Sequence, residues 1–130
     1  MAVSCCQAAQ ILHAKGLVHR DLRLDNVIQL GPQLYMVIDL ESAARSCNGK
    51  LPQDFSSVLR TCSPAALDDD GKYTPASDMY SIGCLLESAL DLPSAAAQAF
   101  IGDLQQKLLD AGEALEYLKS RWVSPDLMQS

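Results

Sequence analysis

His19-Arg20-Asp21-Leu22-Arg23-Leu24-Asp25-Asn26 stands where the chain changes its hydrophobic period. Before it, Cys5, Ala8, Ala9 and Leu12 recur at i, i+3, i+4 and i+7, the spacing of one helix face, and Gly16 is placed to end that helix in a left-handed C-cap. After it come two β-rich runs, Val27-Ile28-Gln29-Leu30 and Leu34-Tyr35-Met36-Val37-Ile38, divided by Gly31-Pro32-Gln33. The quoted stretch is therefore a loop that joins a helix over 3–16 to a short hairpin over 27–38.

The hairpin gives the loop chemical meaning. Pairing Asn26 with Asp39 puts the midpoint between Pro32 and Gln33, where the turn residues lie, so an antiparallel ladder folds Asp39 back beside Asn26. A carboxylate and an amide oxygen converging in this way suit Mg²⁺, a hard cation that shares its shell with water and substrate phosphates. Asp21, on the same loop, is placed to accept or orient the proton of an attacking hydroxyl. A base, two metal ligands and the nearby Arg23 guanidinium form a coherent set for phosphoryl transfer, which depends on positioning and charge neutralisation.

Further along, Glu41 to Ala76 is rich in Ser, Pro, Asp, Asn and Gly without a sustained period and reads as a long irregular segment, with Asp68-Asp69-Asp70 as a solvated loop. Ser77 or Asp78 is expected to cap a buried helix over 77–90 with Met79, Ile82, Gly83 and Leu86 on its apolar face, which Pro93 stops. Ser94 opens helices over 94–122, one carrying Ala97, Ile101, Leu104 and Leu108, and a last one around Leu115 and Leu118 after Gly112. His13 reads as a surface or boundary residue and Trp122 as a packing residue.

The loop fits the H-R-D-L-x-x-x-N catalytic loop of protein kinases, between helix and strand as that motif requires. Asp39 stands where that family has the Asp of its Asp-Phe-Gly motif, and Tyr73-Thr74-Pro75-Ala76-Ser77-Asp78-Met79-Tyr80-Ser81-Ile82-Gly83 resembles the start of its buried αF helix. The resemblance implies an α+β, mainly α-helical fold: a protein-kinase-like C-terminal lobe with a catalytic-loop β-hairpin and an αF-type helix. It implies ATP and Mg²⁺ as cofactors, Asp21 and Arg23 as catalytic residues, Asn26 and Asp39 as metal ligands, and Ile28 beneath the adenine. His19 would be a structural spine residue, Arg20 would clamp an activation segment over 39–68, Thr61 would lie near its substrate end, and Asp78 would anchor the loop backbone.

Departures from the family shape the functional expectation. No Gly-rich loop, strand Lys or αC Glu occurs within the 18 residues before His19, so ATP would lack its phosphate cover unless an N-lobe is supplied. Leu40 and Glu41 replace Phe and Gly, and Ala66-Leu67-Asp68 replaces Ala-Pro-Glu with no Arg in evidence to pair with Asp68. The expected function is Ser/Thr-type transfer of the ATP γ-phosphate to a protein hydroxyl when an N-lobe is present. The alternatives are a non-catalytic scaffold, with the missing N-lobe, a docking partner or a second copy covering apolar surface near Ile28 and Leu40, and an aminoglycoside- or choline-kinase-like phosphotransferase, which Glu41 keeps open.

Composition bounds the rest. At 130 residues, 48% hydrophobic and 20% charged, the chain matches one globular domain. A formal charge of −6 argues against a nucleic-acid partner, and no apolar stretch approaches a membrane span. Met1 to Gln10 lacks the pattern of a signal peptide. Cys5, Cys6, Cys47, Cys62 and Cys84 form neither a C-x-x-C pair nor an even set, which points to a reducing, cytoplasmic location without a disulfide framework or zinc site.

Overall fold

The computed structural model describes residues 1–32, 34–40, 43–45, 66–68, 73–90 and 93–120. Thr61, Glu41, Trp122, Cys47 and Cys62 lie outside the described residues, as do Asp69 and Asp70. In chain order the elements are α1 (Ala2–Ala14), β1 (Leu17–Val18), a 3₁₀ turn (Leu24–Asn26), β2 (Val27–Gly31), β3 (Leu34–Val37), β4 (Ala44–Arg45), α2 (Pro75–Ala89), α3 (Ala95–Gln105) and α4 (Ala111–Ser120). Among the described residues the fold is mainly helical, with two small antiparallel two-stranded sheets, β1–β4 and β2–β3.

Helix α1 begins one residue earlier and ends two residues earlier than the periodicity predicts. Its buried residues are Ala2, Cys5, Cys6 and Ala9, so the core stripe is turned toward Cys6, and Ala8 and Leu12 are half-buried at its margin. Gly16 follows with φ 73°, a left-handed backbone that glycine adopts without steric penalty, and its N–H donates to the His13 carbonyl at 3.0 Å. That turn sends the chain into β1, whose pairing with β4 puts a strand inside the stretch expected to be wholly irregular.

The β2–β3 register corrects the expected one by a residue. Near the turn Gly31 faces Leu34, but at the open end Val27 faces Val37, because an irregularity between Gln29 and Gly31 gives β2 one extra residue. Asn26 therefore meets Ile38, whose N–H donates to the Asn26 carbonyl at 2.8 Å, and Asp39 lies one position beyond.

Helix α2 starts at Pro75, two residues before its expected first turn. Thr74 is the N-cap, proline occupies N1, where no N–H is needed, and the Ser77 hydroxyl accepts the Thr74 N–H at 2.9 Å. Ser77 and Asp78 are thus inside the helix and fully buried, with Met79, Ile82, Leu85 and Leu86 around them. The close seat of α3 on α2 depends on Gly83: a Cβ there would lie 2.9 Å from Gln105 Cγ and 3.1 Å from Leu104 Cβ.

Ser94 caps α3 by accepting the Ala97 N–H at 3.2 Å, and Ala97, Phe100, Ile101 and Leu104 face inward. Leu108, expected on that face, lies past the helix end and is 60% exposed. Nor does Gly112 separate the last two helices. It sits in the first turn of α4, which Asp110 opens through a reciprocal capping box: the Glu113 N–H donates to Asp110 Oδ1 at 2.7 Å and the Asp110 N–H to Glu113 Oε1 at 3.0 Å. One continuous core unites α1, α2, α3 and α4, with Phe100 and Tyr117 in ring contact at 5.0 Å.

Candidate functional site

The site is built outward from Asp78. This side chain is fully buried on α2, and burying a carboxylate is tolerable only when hydrogen bonds replace its water. Four donors do so. Oδ2 accepts the His19 N–H at 2.8 Å and His13 Nε2–H at 2.9 Å, while Oδ1 accepts the Tyr73 hydroxyl at 2.8 Å and the Arg20 N–H at 3.1 Å. Two of these donors are main-chain groups of the loop, so α2 holds the start of the loop by its backbone.

His19 passes that order onward. Its Nδ1 accepts the Asp21 N–H at 3.1 Å and its Nε2 lies 3.0 Å from the Ile38 carbonyl, so the two partners require the Nε2–H tautomer. The same ring therefore ties Asp21 to the end of the hairpin. Arg20, buried at the bend, has φ 72°, and burial lowers its guanidinium from the ordinary value while Tyr73 and Asp78 oppose the shift.

Asp21 and Asn26 are locked together. Asn26 Nδ2 donates to both the carbonyl and Oδ2 of Asp21, each at 2.8 Å, which uses both amide hydrogens and leaves Oδ1 as the acceptor of that side chain. The other Asp21 oxygen, Oδ1, lies 3.3 Å from Arg23 Nε, and Arg23 also approaches Asp25 at 3.8 Å. Asp39 is exposed with φ 64°. Arg20 and Asp39, which bracket this constellation, thus both hold the left-handed conformation that non-glycine residues avoid, a form of backbone strain that clusters at functional sites.

Ile28 faces Met36 across the hairpin and is 41% exposed. Leu30, Leu34, Met36 and Leu40 are likewise exposed, so the hairpin and the residue after Asp39 present apolar side chains to solvent where uncovered apolar surface is expected. A cavity of ≈ 330 Å³ opens beside the loop, lined by Leu22, Arg23, Leu24 and Asp25 of the loop together with Tyr80, Cys84, Ser88 and Ala66.

Among the described residues there is no group of three or more His, Cys, Asp or Glu side chains able to enclose a metal ion. The donor chemistry fits a different kind of site: the Asn26 amide oxygen and a solvent-facing carboxylate at Asp39 suit a divalent cation that takes its remaining ligands from phosphates and water.

Two participants escaped the sequence reading. His13 is a boundary residue, 13% exposed, yet its ring completes the shell around Asp78 from 65 residues away. Tyr73, at the head of the αF-like motif, has a hydroxyl that is a buried donor to the same carboxylate. Their residue types carried the available signal, since a buried Asp needs donors and both side chains supply one.

The chain matches the family described as "Protein kinase domain" over residues 1–118. It is 32% identical over 79 residues to the PAS domain-containing serine/threonine-protein kinase of Mus musculus, covering 61% of this chain and 6% of that protein. It is 35% identical over 81 residues to Receptor-interacting serine/threonine-protein kinase 3 of Rattus norvegicus, covering 58% of this chain and 17% of that protein. Serine/threonine-protein kinase AfsK of Streptomyces coelicolor is 36% identical over 90 residues, covering 66% and 11% respectively. The chain thus spans less than a fifth of the length of these three relatives. With a family match that runs from the first helix to the last, the chain belongs to the protein kinase domain family.

Proposed function

We propose that this chain carries the acceptor side and part of the metal site of a Ser/Thr-type protein kinase, which transfers the ATP γ-phosphate to a protein hydroxyl when an N-lobe is supplied. The observation that carries the reading is the double hydrogen bond from Asn26 Nδ2 to Asp21, which fixes the base and turns the amide oxygen free for a cation. Asp21 receives or orients the acceptor hydroxyl proton, and Arg23 supplies positive charge near the transferred phosphate. Asn26 and Asp39 would hold Mg²⁺, which would neutralise the phosphate charge, and Ile28 would pack under the adenine. The serine/threonine-protein kinases among the relatives support this acceptor class. A reducing, cytoplasmic setting accords with free Cys5, Cys6 and Cys84.

Calorimetric titration of the chain with Mg·ATP tests the reading. Micromolar binding that Asp39→Asn abolishes supports it, and binding that survives this substitution removes Asp39 from the metal site. If no binding is detected, the second reading gains: a docking module that works through its apolar hairpin face, where Leu30, Leu34 and Met36 are 45–56% exposed.

A further inference from the structure

The segment 66–68 is far from α3 in sequence, yet a lysine at the end of that helix holds it. Helix α3 closes in a Schellman arrangement: the Leu108 N–H donates to the Asp103 carbonyl and the Lys107 N–H to the Leu104 carbonyl, each at 3.0 Å. The residue between, Lys107, takes φ 59°, a conformation that suits glycine and strains a lysine. Its side chain does what glycine has no atoms to do. Half-buried, it sends Nζ to the Leu67 carbonyl at 3.0 Å, across 40 residues.

We infer that Lys107 is a positioning residue that clamps the 66–68 backbone to the C-terminal helices and so sets one wall of the cavity beside the catalytic loop. Ala66, adjacent to the clamped carbonyl, is 1% exposed and lines that cavity together with Leu22, Arg23, Leu24 and Asp25. The acceptor is a main-chain oxygen, so the clamp fixes where the segment runs whatever side chain stands at position 67. A charged donor on a half-buried carbonyl is also stronger than a neutral one. Lys107 thus brings a cation to the backbone beside Asp68. Calling this wall part of a phosphotransfer site rests on the proposed function, whereas the clamp itself does not.

The test uses the full chain and no nucleotide, so a failure of Mg·ATP binding leaves it decided. Three variants are compared: Lys107→Met keeps most of the stem, Lys107→Gly removes the amine and relieves the left-handed strain, and Lys107→Arg restores a cationic donor. Amide-resolved hydrogen exchange at Leu67 and Asp68 is expected to rise roughly tenfold in the Met and Gly variants, as loss of one charge-assisted bond predicts, with Leu86 unchanged and Arg restoring protection. Alkylation of Cys84, which lines the same cavity, is expected to accelerate in the same two variants when followed by peptide mapping. Unchanged exchange at Leu67 and Asp68 would overturn the inference. So would an equal rise at Leu86, or loosening that Lys107→Arg does not reverse.

Discussion

The Asp78 carboxylate accepts the His19 main-chain N–H at 2.8 Å, joining a buried helix to the 19–26 loop across 59 residues of sequence. With Arg20, Tyr73 and His13 as its other donors, this carboxylate holds the loop to the core of the domain. Its removal takes this acceptor from two buried main-chain N–H groups, those of His19 and Arg20. Asp78→Ala is therefore expected to destabilise the fold by about 3–5 kcal/mol, the range for breaking a buried charged network, and His13→Ala by about 1–2 kcal/mol for a single donor. Urea denaturation followed by circular dichroism gives both values, and an Asp78→Ala chain of near-native stability would show that the shell is dispensable.

Gly83 offers a packing test with opposing terms. Alanine is the better helix former by about 1 kcal/mol, but its Cβ would meet Gln105 Cγ at 2.9 Å and Leu104 Cβ at 3.1 Å. Overpacking of this kind costs about 1–3 kcal/mol, so the clash outweighs the helical gain and a net loss of about 1 kcal/mol is expected. Thermal melts of Gly83→Ala measure the difference, and a rise in Tm would show that α3 moves away freely.

Alkaline pH probes the buried thiols. Burial pushes Cys5 up to about 11 and Cys6 up to about 12, from an ordinary value of 9.0. Below pH 9 both thiols are protonated whether the chain is folded or not, and their contribution is fully present. Above it the unfolded chain releases protons that the folded chain retains, so stability falls as pH rises through 9 toward 12. Denaturation under reductant at pH 8 and pH 10 is expected to show that fall, and Cys5→Ala with Cys6→Ala is expected to flatten it.

The hairpin face predicts dye binding. Ile28, Leu34 and Met36 are 41%, 56% and 45% exposed, so they contribute little to the core but form an apolar patch. Replacing Leu34 and Met36 with Lys is expected to lower the fluorescence of a hydrophobic dye several-fold with a stability change within about 0.5 kcal/mol, as for other surface substitutions. Unchanged fluorescence would place the sticky surface elsewhere.

Much of the scaffold was legible because it depends on local spacing. The existence of α1, the Gly16 turn, the hairpin divided at Pro32 and the Ser94 cap all follow from periodicity and turn chemistry within a few residues. The errors occurred where a neighbouring residue type competed. Thr74 followed by Pro75 is a stronger helix start than Ser77, and Asp110 with Glu113 three positions later opens α4 before Gly112 can break it. The one-residue shift at Asn26 comes from the irregularity near Leu30, which strand propensity does not reveal.

The order of motifs along the chain determined by itself that loop, hairpin and buried helix belong to one kinase-like design, because each is defined by short-range spacing. Only the tertiary structure decided what holds them: His13 and Tyr73 on Asp78, the His19 ring between Asp21 and Ile38, and Lys107 on Leu67. These bonds span up to 65 residues and answer a demand that arises only on folding, when a carboxylate or a carbonyl leaves water and must find a donor in space.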